Sequence, residues 1–163
     1  MTANVKFAKV RPDAKIPNKR DEDMGFDIYA CFDEDYMVIG PHETKLIPTG
    51  IASSCDPEYG FLLRERGSTG SKGIALRAGV IDSGYRSEWF VGLTNTTNKM
   101  MYISKPFVCI DVTLESFVYP YSKAIAQALI VPVPKVEVEE LSYEDLQAIP
   151  SERGAGALGS SGK

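Results

Sequence analysis

The chain is predicted to be all-β, a sandwich, jelly roll or barrel, because short runs with strand alternation or β-branched content recur along it, Gly, Pro and Asn turns punctuate them, and no long 3.6-residue periodicity interrupts them. In order, the runs are 5–10, 26–30, 36–39, 44–47 and 61–64, then 89–94, 100–103, 107–117 and 125–133. One helical signal comes late. Ser142 is a good N-cap, Asp145 stands at the capping-box spacing with a shorter acid than usual, and Leu146 and Ile149 follow. Beyond it, 136–140 reads as an acidic connector and Pro150 stops anything helical.

Composition sets the outer limits. At 163 residues the chain is one domain by length, and a chain of this size buries roughly 68–70% of its unfolded surface. Hydrophobic residues at 44% and charged residues at 25% sit at the globular average, so disorder is confined to the last dozen residues. The expected division is 1–150 as the folded β domain and 151–163 as a flexible Gly/Ser-rich arm. A net charge of −4 leaves no basic face for a nucleic-acid duplex, and an acidic chain that binds a polyphosphate needs local Arg, Lys and backbone N–H groups. Cys31, Cys55 and Cys109 are widely separated, which suggests neither a disulfide framework nor a zinc site. The amino terminus lacks the apolar core of a secretory signal, and no apolar run reaches the roughly 18 residues of a membrane helix. A soluble cytoplasmic protein is expected.

The stretch from Ala78 to Trp89 carries the sharpest local signal. Val80 and Ile81 are strand formers, Ser83-Gly84 is a dipeptide that closes tight hairpins, and 88–93 resumes a strand. Asp82 and Tyr85 then flank the turn, so a carboxylate and a flat ring meet free backbone groups where a planar base and a sugar could sit. The same residues also suit a plainer role, an Asp bonded to its own turn backbone beside a half-buried Tyr.

Further segments narrow the choice. Met24-Gly25-Phe26-Asp27-Ile28-Tyr29-Ala30, Arg66-Gly67-Ser68-Thr69-Gly70, the 79–88 stretch, Ala124-Ile125-Ala126-Gln127-Ala128-Leu129-Ile130 and the tail from Arg153 to Gly162 follow one another with characteristic gaps. Together with Ile47-Pro48-Thr49-Gly50-Ile51-Ala52 they resemble the trimeric dUTP pyrophosphatase (dUTPase) family over nearly the whole chain. The resemblance implies a jelly-roll-like β-sandwich or barrel. It also implies hydrolysis of dUTP to dUMP and pyrophosphate, which limits uracil incorporation into DNA and supplies dUMP for thymidylate synthesis. Mg²⁺ is the implied cofactor, and the assembly is a homotrimer in which three subunits share each site.

Residue by residue, the resemblance assigns Asp82 to the catalytic water and Tyr85 to a ring packed against the deoxyribose, excluding a 2′-hydroxyl. Backbone groups of Gly79, Val80 and Ile81 would read the uracil edge, with Phe90 also among the substrate-binding residues. Arg66, Gly67, Ser68 and Thr69 would hold the triphosphate with Gln127, and Asp27 would stand near the metal through its waters. In the tail, Arg153, Leu158, Gly159, Ser160 and Ser161 would wrap the phosphates and cover the base. Three positions depart from the family pattern: Gly67 where Ser is usual, Leu158 where Phe would stack on uracil, and Ser87 where Gly is common. The Gly-Lys end of the tail is no Walker motif, since Ala157 stands where the first Gly would be. Two other readings remain, a binding protein that keeps the fold without turnover and, with no matching catalytic block, a dCTP deaminase relative.

Overall fold

A computed structural model describes residues 3–152 and Gly154. The chain divides into two compact units at Val133/Pro134. The first is jelly-roll-like and almost entirely β. Its strands are β1 (Val5–Lys9), β2 (Phe26–Ile28), β3 (Tyr36–Ile39), β4 (Thr44–Pro48), β5 (Ile51–Cys55) and β6 (Tyr59–Arg64), then β7 (Ile74–Arg77), β8 (Val80–Ile81), β9 (Phe90–Asn95), β10 (Met100–Ser104), β11 (Ser116–Pro120) and β12 (Ala126–Pro132). A single helical turn, α1 (Gly67–Gly70), separates β6 from β7.

The strands form four small sheets, ordered β1-β5, β11-β10-β3, β2-β12-β6-β8 and β4-β9-β7. Their inner faces meet around Trp89, which is fully buried and packs edge-on against Phe61 at 5.0 Å and Phe7 at 5.7 Å. Ile28, Ile47, Ile51, Leu63, Met101 and Ile103 complete this centre. β9 runs through it, buried at every position after Phe90, as a strand covered on both faces must be. In the second unit, α2 (Tyr143–Ala148) begins where the sequence predicts: the Asp145 N–H donates to Ser142 Oγ at 3.0 Å, and that hydroxyl donates to Asp145 Oδ2 at 2.7 Å.

Three expectations need correction. Residues 107–117 do not form a strand; β11 starts at Ser116. Phe107 takes a left-handed φ of 66°, and a turn in which Thr113 and Ser116 bond each other's backbone occupies the end of the segment. The 51–55 and 74–77 strands went unread, because Ile-Ala-Ser-Ser-Cys is half polar and Ile-Ala-Leu-Arg is rich in helix formers.

The third correction concerns the hairpin. β8 does not pair with β9: it pairs with β6, placing Ile81 opposite Phe61 and Val80 opposite Leu62, whereas β9 pairs with β4 and β7. The chain changes sheets at Ala78-Gly79. Ala78 has φ 48°, and a Cβ on Gly79 would stand 2.7 Å from the Leu63 carbonyl oxygen, so only glycine lets the backbone come this close. The Leu63 N–H donates to Gly79 O at 2.7 Å, which seals the crossing.

Candidate functional site

The predicted site residues fall into two groups. The first gathers where β2, β12 and β6 end side by side. Gln127 on β12 lies opposite Asp27 on one side and Arg64 on the other, so the ladder itself brings Asp27, Gln127 and Arg66 together. Arg66 Nε donates to Asp27 Oδ1 at 2.9 Å and Nη2 to Oδ2 at 3.3 Å, a bidentate pair about one-third exposed on each side. Gln127 Nε2 donates to Glu65 O at 2.8 Å. Gly25 packs against that amide so closely that a Cβ there would stand 2.9 Å from Gln127 Oε1.

α1 follows at once and is closed by its own hydroxyl: Arg66 N–H donates to Thr69 Oγ1 at 3.0 Å, and that hydroxyl donates to Arg66 O at 3.0 Å. Thr69 is buried with its oxygen committed to the turn, while Ser68 is exposed. Of the two hydroxyls, Ser68 is the one free to meet a ligand. A Cβ on Gly67 would meet nothing within 4 Å, so the side chain missing at this position leaves open space.

These groups open on a polar recess of about 480 Å³ whose far wall is Asn18, Lys19, Arg20, Asp23 and Met24. Sequence reasoning missed this wall. Its signal was the Lys19-Arg20 pair, separated by Asp21, Glu22 and Asp23 from the Met24–Ala30 block. The Asp27 N–H donates to Asn18 O at 3.0 Å, which joins the wall to β2. Arg20 clamps Asp23, with Nε to Oδ2 at 2.9 Å and Nη2 to Oδ1 at 2.8 Å. That hydrogen bonding, together with the Arg20 N–H, holds the Asp23 carboxyl down to about 2.

The second group is the arm between β7 and β9. β8 is the terminal strand of its sheet, so one edge of Val80-Ile81 carries backbone N–H and C=O groups without a ladder partner. Asp82 and Tyr85 are exposed beside it. The Tyr85 N–H donates to Asp82 O at 3.1 Å, and Tyr85 Oη donates to Glu88 O at 3.0 Å, fixing the ring over the turn. Arg86 Nη1 donates to Ser83 O at 2.5 Å and to Ser53 O at 3.3 Å. At its end the Trp89 N–H donates to Ile51 O, and Gly50 N–H donates to Glu88 Oε1, both at 2.8 Å. Phe90, partly exposed, lies opposite Pro48 on the other sheet.

One chain does not join the two groups. Antiparallel pairing puts Asp82 at the level of Gly60, six residues before Arg66, or about 20 Å at strand rise. The cavity of about 170 Å³ beside Asp82 and Ser83 shares no lining residue with the Arg66 recess. Arg153, Leu158, Gly159, Ser160 and Ser161 lie outside the described residues. Among the described residues no cluster of three His, Cys, Asp or Glu side chains could hold a metal, and no helix is long and apolar enough to cross a membrane.

Comparison with known proteins gives one answer. The sequence model of the dUTPase family matches residues 13–107. A deoxyuridine 5′-triphosphate nucleotidohydrolase of Nautilia profundicola is 36% identical, the match covering 98% of this chain and 99% of that protein. Another, from Neisseria meningitidis serogroup A, is 37% identical over 85% of this chain and 81% of its own length. Among solved structures, the G164S dUTPase of Staphylococcus bacteriophage 80alpha with dUpNHpp superposes with a TM-score of 0.76 at 23% identity, over 97% of this chain and 98% of that one. A D95N dUTPase of phage phi11 of S. aureus, described as revealing the coordination of a structural Mg(II) ion, has a TM-score of 0.69 at 20% identity, over 85% and 97%.

Proposed function

The chain belongs to the dUTPase family, and we infer that it hydrolyses dUTP to dUMP and pyrophosphate with the Asp82 arm, the Arg66 recess and the 151–163 segment as parts of one site. The observation that carries the assignment of the base pocket is the free edge of β8. Uracil offers an N–H between two carbonyl oxygens. Backbone groups at a strand end supply both donors and acceptors; with Gly79 O already accepting from the Leu63 N–H, the remaining groups of Gly79, Val80 and Ile81 are the ones assigned to that pattern, part of which cytosine reverses. The neighbouring Tyr85 ring, held by its bond to Glu88 O, is assigned to the sugar attached to that base, against which it would exclude a 2′-hydroxyl.

Asp82 orients a water in line with the α-phosphorus and takes its proton as the water attacks; pyrophosphate leaves on the opposite side. Arg66, Ser68 and Gln127 hold the phosphate chain through charge and hydrogen bonds, and Asp27 keeps the Arg66 fork in place. Mg²⁺ suits this site as a phosphate-held ion. It keeps most of its waters and takes few protein oxygens, and Asp27, about one-third exposed in the recess, can meet those waters. When bound it supplies positive charge to the leaving pyrophosphate. The same reading assigns Arg153 and the tail N–H groups to the phosphates and Leu158 to the base.

The separation of about 20 Å at strand rise between Asp82 and Arg66 supports sites that draw on more than one copy, as in the homotrimer that the family resemblance implies. Cytoplasmic placement is supported by three unpaired cysteines, one of them exposed. The test is pyrophosphate release with Mg²⁺ from dUTP, dTTP, dCTP and UTP in parallel. Turnover of dUTP far above the other three is expected; equal turnover of UTP, or ammonia release from dCTP, would overturn the assignment.

A further inference from the structure

The Arg66 recess holds more charge than its site residues account for. Three cations, Lys19, Arg20 and Arg66, line it together with two carboxylates, Asp23 and Asp27. Asp27 engages both arms of the Arg66 fork, and Asp23 engages both arms of Arg20. Lys19 stands apart: among the described residues its ammonium has no carboxylate within salt-bridge distance, donates only to the Arg20 carbonyl at 3.2 Å, and lies 5.8 Å from the Phe26 ring centre. A chain of net charge −4 therefore presents a recess with one cation that has no carboxylate of its own in salt-bridge contact, lining it together with Arg66 and Gln127.

We propose that Lys19 is a further substrate-positioning residue, a point charge that draws the pyrophosphate portion of the nucleotide into the recess. The proposal rests on the dUTPase reading of this same site and adds to it a residue outside all of the family-like blocks. The chemistry favours Lys19 over Arg20. An ammonium with three rotatable donors can follow a flexible phosphate chain and its hydrated cation, whereas the Arg20 fork is already held in plane by Asp23. The wall is also anchored: the Asn18 carbonyl accepts from Asp27 N–H, so Lys19 is one residue from a fixed point at the rim. Its action is directed at the phosphates, because it lines the same recess as Arg66 and Gln127, the residues assigned to the phosphate chain.

Lys19→Met in the full-length protein tests this, read against inorganic pyrophosphate and dUMP as separate inhibitors with Mg²⁺ present. Expected are rises of about fivefold, about 1 kcal/mol, in the KM for dUTP and in the inhibition constant of pyrophosphate, with the dUMP constant changed less than twofold. Lys19→Arg should recover most of the loss. An unchanged KM and pyrophosphate constant in Lys19→Met would overturn the proposal, as would an equal rise in all three constants, which signals general damage. Direct titration of pyrophosphate into wild type and variant separates the two levels: a wild type that releases no pyrophosphate from dUTP defeats the functional reading, while equal pyrophosphate binding by both proteins defeats the role of Lys19 alone.

Discussion

Two inactive variants mixed in one assembly test the division of the site most directly. Asp82→Asn removes the base, and Arg66→Ala removes the phosphate fork. Each substitution is mild for folding: Asp82 is exposed, and the Arg66–Asp27 pair, about one-third exposed on each side, contributes no more than about 1 kcal/mol. Separately, the first should bind a non-hydrolysable dUTP analogue while losing on the order of a hundredfold or more in turnover, and the second should lose both binding and turnover. Co-expressed in equal amounts, they assemble at random. If one copy supplies Asp82 and a neighbour supplies Arg66, half of the acid donors and half of the fork donors are intact, and about one quarter of the sites regain both. Pyrophosphate release from the co-expressed protein should then approach one quarter of the wild-type rate, against near zero for the two variants purified apart and combined without exchange. Activity no greater than the mean of the two variants would refute the reasoning, since it would mean that each chain closes its own site despite the roughly 20 Å of strand between its parts.

Tyr85→Ala should weaken dUTP binding and narrow the ratio of dUTP to UTP turnover; an unchanged ratio in parallel kinetics would assign the exclusion of ribose elsewhere. Gly79→Ala drives a methyl to 2.7 Å from the Leu63 carbonyl oxygen, a backbone atom that cannot swing away, so thermal unfolding should show a loss of about 1–3 kcal/mol with turnover falling alongside it. Ending the chain after Pro150 should cut dUTP turnover steeply with an unchanged Tm of the free protein, because the removed Gly/Ser-rich sequence has few large apolar side chains to lose; full activity in the shortened chain would show that the Gly/Ser tail has no part in the reaction.

Much of the β architecture was legible because its strands carry their own alternation and their turns are marked by Gly, Pro and Asn. Residues 36–39 and the Ser142 cap needed nothing beyond local chemistry. The partner of a strand is another matter. Val80-Ile81, Ser83-Gly84 and the strand that follows have the composition of a hairpin, yet the left-handed Ala78 and the tight contact at Gly79 send β8 to β6, and nothing within the twelve residues from Ala78 to Trp89 specifies that choice. The site divides in the same way. Asp82, Arg66 and Gln127 could be named from the family-like blocks, but their separation follows from the register of β6, which sequence spacing does not contain. Thr69 is named with the Arg66–Gly70 block on its resemblance to the family's phosphate-holding segment, and spacing alone does not contain its burial or its cap on α1. Lys19 escaped notice because a basic pair beside acids reads as ordinary surface until the fold sets it across from Arg66.

Trp89 is the sole tryptophan of the chain, and its complete burial between Phe61 and Phe7 has an optical consequence. An indole shut away from water emits at shorter wavelength than one in solvent, so the native protein carries a built-in fluorophore whose emission moves to the red on unfolding. The ring is also next in sequence to Glu88, whose carbonyl receives the Tyr85 hydroxyl. A nucleotide that settles against Tyr85 therefore acts on the same short stretch of backbone that carries the indole, and its arrival can be followed by emission intensity in the unlabelled wild-type protein.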